Sequence, residues 1–94
     1  MIEESIVEIV KGSLVRACAG RDKDSLFVAV GIDGGFVYIC DGKSRPLERP
    51  KRKNPKHISP LHVTVETDGL TNKQLRRLIN RFSTRTDDQQ TENL

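Results

Sequence analysis

A small, mainly β domain braced by one C-terminal helix is the fold class that the sequence predicts. Leu26, Val28, Val30 and Ile32 alternate with Phe27, Ala29 and Gly31, the period of two that sends successive side chains to opposite faces of a strand. Leu75, Leu78, Ile79 and Phe82 recur instead at the spacing of one helix face. Length sets the scale, because a 94-residue chain makes one domain and buries only about 60% of its unfolded surface. With three Phe, one Tyr and no Trp, the apolar material suits a small barrel rather than a deep catalytic cleft.

The elements follow in order. Residues 2–11 are apolar enough for a turn of helix or an entry strand, and the sequence leaves both open. Ser13 to Cys18 reads as a first strand that ends at Ala19-Gly20, and Arg21-Asp22-Lys23-Asp24 as a charged turn. After the alternating strand, Asp33-Gly34-Gly35 is a hairpin signal and Phe36 to Cys40 the returning strand, with a further turn at Asp41-Gly42. Pro46, Pro50 and Pro55 punctuate residues 43–56, which are expected to form an extended loop. Ile58, Leu61, Val63 and Val65 supply a late strand or two, interrupted near Pro60. Asp68-Gly69-Leu70 turns the chain, and Thr71 with Gln74 three residues on is a capping box at the helix start. From Thr84 the chain is polar and aperiodic, so residues 1–83 are expected as the domain and 84–94 as a disordered tail.

The charge is unevenly placed. Between Lys43 and Lys56 stand seven bases (Lys43, Arg45, Arg49, Lys51, Arg52, Lys53 and Lys56) and one acid, Glu48, a net +6 in a chain whose total is +3. Such a cluster sets up a local positive field suited to a polyanion. Prolines stiffen the segment, which lowers the entropy lost on binding, and the planar arginine fork grips a phosphate with two hydrogen bonds. Arg45, Arg49 and Arg52 are the leading candidates. The acidic N-terminus carries no long apolar run, and no stretch is long and apolar enough to cross a membrane as a helix. A soluble cytoplasmic protein with reduced thiols is expected.

The run Gly12-Ser13-Leu14-Val15-Arg16-Ala17-Cys18-Ala19-Gly20-Arg21-Asp22, followed by the Leu26–Ile32 strand and the return to Gly42, resembles a KOW motif. In that motif a strand, a loop with a key glycine and a second strand are set in an SH3-like barrel. The Ala19-Gly20-Arg21 turn, Val37-Tyr38-Ile39-Cys40-Asp41-Gly42 and Lys56-His57-Ile58-Ser59-Pro60 are similar, in the same order, to the archaeal and eukaryotic large-subunit ribosomal protein family L-fourteen-e and its bacterial KOW-domain relatives. The resemblance covers roughly residues 10–62. It departs at Lys23-Asp24-Ser25, where many KOW sequences carry a second glycine.

The resemblance implies an SH3-like KOW barrel that binds ribosomal RNA beside other ribosomal proteins, with the loop around Gly20, Arg21 and Lys23 facing the RNA. Arg16 on the strand and His57 in the Lys56-His57 element join the candidates on the same ground. KOW barrels also bind protein partners in transcription and translation, which makes a protein-interaction module the rival reading.

Other residues draw plainer expectations. Phe36 and Tyr38 have rings able to stack on bases, yet a chain so poor in aromatics is expected to spend them on its core. Cys18 and Cys40 are expected as small buried apolar residues, and two cysteines cannot make a four-thiolate zinc site. Asp22, Asp24, Asp33, Asp41 and Glu48 sit in turns or beside the bases, as solvated carboxylates do. No catalytic set, metal or cofactor is expected.

Overall fold

The computed structural model describes residues 9–92, with side chains described as far as Ser83; of residues 2–11, left open by the sequence, only Ile9 onward falls within it. Five strands, β1 (Ser13–Ala17), β2 (Leu26–Asp33), β3 (Phe36–Cys40), β4 (Lys51–Lys53) and β5 (Ile58–Thr64), precede one helix, α1 (Asn72–Glu92). They form a single antiparallel sheet in the order β4-β3-β2-β1-β5. The fold is mainly β with a C-terminal helix, as expected.

The sheet is curled, and the chain between its edges shows why. β4 and β5 lie at opposite edges, yet only residues 54–57 join them, three of these in a 3₁₀ turn (Pro55–His57). In a flat sheet four strand spacings would part the edges by at least about 19 Å, whereas this connection reaches only about 14 Å. The sheet must therefore bend round. Among the described residues no ladder joins β4 to β5, so the expected barrel is here a curled sheet with two edges.

Each face of the sheet carries a buried cluster. On the inner face Val15, Ala17, Phe27, Ala29, Val37, Ile39 and Ile58 form one cluster, with Ile9 packed against it. On the outer face Leu14, Val28 and Cys40 meet Leu75 and Ile79 of α1. Burial of each large side chain among them contributes about 1.5–3 kcal/mol.

Local chemistry explains most elements. Gly34 and Gly35 both have positive φ (59° and 83°), as a two-residue turn between Asp33 and its partner Phe36 requires. Thr71 and Gln74 complete the capping box: Thr71 N–H donates to Gln74 Oε1 (3.0 Å) and Gln74 N–H to Thr71 Oγ1 (3.2 Å). Leu75 and Ile79 are buried along the helical stripe. The backbone stays helical to Glu92, and the side chains of residues 84–94, where a tail was expected, lie outside the described residues.

Three expectations are corrected. Residues 43–56 are not one extended loop, because Lys51–Lys53 pair with Ile39, Tyr38 and Val37 as an edge strand. The prolines at 50 and 55 bracket this strand without entering it, and its charges suit an edge that must not recruit another chain. In β2 the register jumps between Ala29 and Gly31, leaving Val30 as a bulge. The jump reverses the alternation, so that Gly31 faces Tyr38 on the outer side while Ile32 stands opposite Val37, on the other face from Val28. Lastly, β5 runs through Pro60 as one strand, absorbing a register shift against β1 at His62, whose φ is +62°.

Candidate nucleic-acid interface

One end of the sheet gathers the loops. Ala17 pairs with Ile58, Arg16 with Leu26 and Val28 with Cys40, so the turn 18–25, the segment 41–50 and the 3₁₀ turn all project from the same end. Side chains and backbone tie these segments together. Lys51 Nζ lies 3.7 Å from Asp22 Oδ2, and Cys18 N–H donates to the His57 carbonyl (2.8 Å). A side-chain carbon placed on Gly20 would stand 4.0 Å from Lys53 Nζ.

The first turn is built by its own backbone. Lys23 N–H donates to the Gly20 carbonyl (3.2 Å), Ser25 N–H to the Asp22 carbonyl (2.9 Å) and Asp24 N–H to the Ala17 carbonyl (2.8 Å). Gly20 (φ +83°) and Asp24 (φ +74°) both occupy the left-handed region. Asp24 thus takes a glycine-like conformation, which aspartate tolerates better than most side chains. Gly20, Arg21 and Lys23 are left exposed at the tip.

The basic segment splits into unlike parts. Lys43 and Arg45 ride a turn organised by Asp41, whose Oδ1 accepts their backbone N–H groups (2.9 and 2.8 Å) while Oδ2 accepts from Ser44 Oγ (3.2 Å). The next residues are clamped to the helix start. Leu47 N–H donates to Asn72 Oδ1 (2.7 Å), and Asn72 Nδ2 donates to both oxygens of Glu48 (3.0 and 3.3 Å). That bond holds the Glu48 carboxyl below its ordinary pKa of 4.5. Arg76 donates to the Gly42 carbonyl (2.8 Å). Asp41 and Glu48 therefore organise structure, Glu48 while staying exposed to solvent, and Arg49 is exposed beside them.

Past Pro50 the arrangement changes. Lys51 and Lys53, paired with the inner-face residues Ile39 and Val37, lean toward the first turn, whereas Arg52 points to the outer face beside Tyr38. Lys56 and His57 are exposed on the 3₁₀ turn, which Asn54 caps: Lys56 N–H donates to Asn54 Oδ1 (2.9 Å). The structure thus brings Gly20, Arg21, Lys23, Lys51, Lys53, Lys56 and His57 together. Lys43, Arg45 and Arg49 lie beside the helix start, Arg52 is on the outer face of β4, and Arg16 stands apart, exposed on β1.

A cleft of about 590 Å³ opens between the first turn, the Asp41–Lys43 turn and α1, lined by Asp24, Lys43, Arg76 and Asn80 among others. It is an open groove of mixed charge. The two thiols differ: Cys40 is buried as expected, whereas Cys18 is exposed, because its position follows the last inward residue of β1. Burial first, then the charges of Asp41 and Glu48, push the Cys40 thiol up to about 11. Among the described residues no group of three or more His, Cys, Asp or Glu is placed to hold a metal ion, and no helix is long and apolar enough to cross a membrane.

The aromatic residues are the feature that sequence reasoning missed. Phe36 and Tyr38 are only half-buried and belong to neither core cluster. The Arg52 guanidinium carbon sits 4.5 Å from the centre of the Phe36 ring. Strand alternation carried the signal, since Val37 and Ile39 already fill the inner positions of β3. No family model matches the chain, and no curated protein matches it.

Proposed function

We propose that this protein is a non-catalytic RNA-binding protein that docks on structured RNA, ribosomal RNA of the large subunit above all, in the cytoplasm. The observation that carries the reading is the convergence at one end of the sheet of the Gly20 turn with Lys51, Lys53, Lys56 and His57. Two segments about 30 residues apart in sequence supply one basic surface, while Asp22, an acid within it, is paired with Lys51.

The surface acts through phosphates. The exposed glycine lets backbone approach backbone, and lysines on a turn and an edge strand present point charges that follow a sugar-phosphate ridge. A-form RNA keeps its base edges in a deep, narrow groove, so recognition of shape and charge is the mode such a surface suits. If about five phosphates are neutralised, log affinity for a structured rRNA fragment plotted against log salt slopes at about −3.5 to −4.5. A slope near zero would overturn the reading, and co-sedimentation with large ribosomal subunits tests the choice of RNA.

A further inference from the structure

Resting on that reading, we infer that the outer face of the β3–β4 ribbon is a stacking platform for one unpaired base, so that the preferred RNA carries an extruded nucleotide beside its helix. Four observations meet there. Phe36 and Tyr38 share one face of β3, as residues two apart do, and both stay half-exposed outside either core cluster. Among the described residues, that face of β3 joins the cluster beneath α1 at Cys40, together with Leu75 and Ile79. Arg52 pairs with Tyr38 across the ribbon and sits over the diagonal Phe36 ring at 4.5 Å. On the other side of Tyr38, the bulge at Val30 brings Gly31 into register, and a side-chain carbon added there would meet nothing within 4 Å.

The roles divide accordingly. Phe36 holds Arg52 through a cation–π contact. Arg52 and Tyr38 then offer a guanidinium plane and a phenol ring side by side, the two surfaces on which unpaired RNA bases stack. Gly31 leaves the space that a base needs next to Tyr38. Lys51 and Lys53 flank Arg52 along the strand and direct their charge to the opposite face, where they serve phosphates. The ribbon is thereby sided: one face reads the backbone and the other takes a base.

The test uses two RNA hairpins that differ only by one bulged 2-aminopurine, titrated at fixed salt with the full chain and three variants. Tyr38→Leu removes a ring, Arg52→Lys keeps the charge and loses the plane, and Gly31→Val fills the open space without touching a charge. Gly31 has no positive φ, so valine suits the strand there, and circular dichroism verifies folding. The wild-type protein binds the bulged hairpin at least about fivefold more tightly than the matched one and quenches 2-aminopurine on binding; fivefold is the lower end of about 1–3 kcal/mol per stacked base. All three variants lose that preference and the quenching, and Tyr38→Leu and Gly31→Val keep wild-type affinity for the matched hairpin. Salt-dependent binding without a preference, or a preference that survives Gly31→Val and Tyr38→Leu, overturns the platform and leaves the phosphate surface standing. Absence of binding to either hairpin overturns both.

Discussion

The two halves of the basic segment are both rich in bases and have opposite architecture. Residues 43–49 spend their polar groups inward: Asp41 organises the Lys43 and Arg45 backbone, Asn72 takes Leu47 N–H and holds Glu48, and Arg76 reaches Gly42 from the helix. Residues 51–57 form an edge strand and a 3₁₀ turn that lie against the Gly20 turn. The acids make the difference. Among the described residues, Asp24, Asp41 and Glu48 lie about the first half and offset its field, whereas Asp22 is placed against the second. A run of positive charge is thus half structural brace and half binding surface, a division that net charge conceals.

Charge reversal puts this division under the greatest strain. Arg21→Glu, Lys23→Glu and Lys56→Glu together remove three exposed bases from the second surface, and RNA affinity should fall by about 100-fold or more, with the salt slope shallower by about 2.7. Lys43→Glu, Arg45→Glu and Arg49→Glu together should cost markedly less affinity. Equal losses in a filter-binding titration at one salt concentration would mean that total charge decides binding.

Next in size is a stability effect confined to the first half. At Gly42 (φ +78°) an added side-chain carbon would stand 2.5 Å from the Asn72 carbonyl oxygen. Gly42→Ala should therefore destabilise the fold by about 2–3 kcal/mol, from backbone strain and overpacking at the helix dock. An unchanged urea midpoint would show that α1 does not depend on this close approach.

A smaller effect follows the Asn72 clamp. Asn72→Ala strands Leu47 N–H and should cost about 1–2 kcal/mol. It should also alter the acid limb of stability. Because Glu48 has a lowered pKa in the fold, its contribution is complete above the unfolded value of 4.5 and disappears as pH falls through the lower folded value. Denaturation midpoints of the two proteins should therefore converge as pH drops below about 4.5; a gap that stays constant would assign the whole effect to Leu47. The smallest change expected is a gain. Asp24→Gly relieves a left-handed aspartate and should add about 0.5–1 kcal/mol, measurable as a raised melting temperature, with RNA affinity unaltered because the side chain is not one of the bases.

Much of the fold was legible because its signals are local. The Asp33-Gly34-Gly35 turn, the reciprocal cap of Thr71 and Gln74 and the stripe at Leu75 and Ile79 each depend on residues within four positions of one another. The basic candidates were legible too, since charge density needs no contacts to be noticed. β4 was hidden, because three charged residues between prolines gain strand structure only from a partner, β3, and prolines argue against a strand unless one knows that they fall just outside it. Cys18 and the ring pair Phe36 and Tyr38 were misplaced for a related reason: composition says what a core needs, but not which face of a strand the helix will cover.

By itself, then, the sequence determined the hairpin, the capped helix, the mainly β class and the concentration of positive charge, all consequences of backbone preference and short-range periodicity. The tertiary structure decided which bases stand together, where Asn72 and Asp41 pin the segment, and which face of β3 stays open. Those outcomes rest on register and curl. A single bulge at Val30 turns Gly31 toward Tyr38, and four residues between two sheet edges force the turn at Gly20 against Lys53, relations that exist only once distant strands have paired.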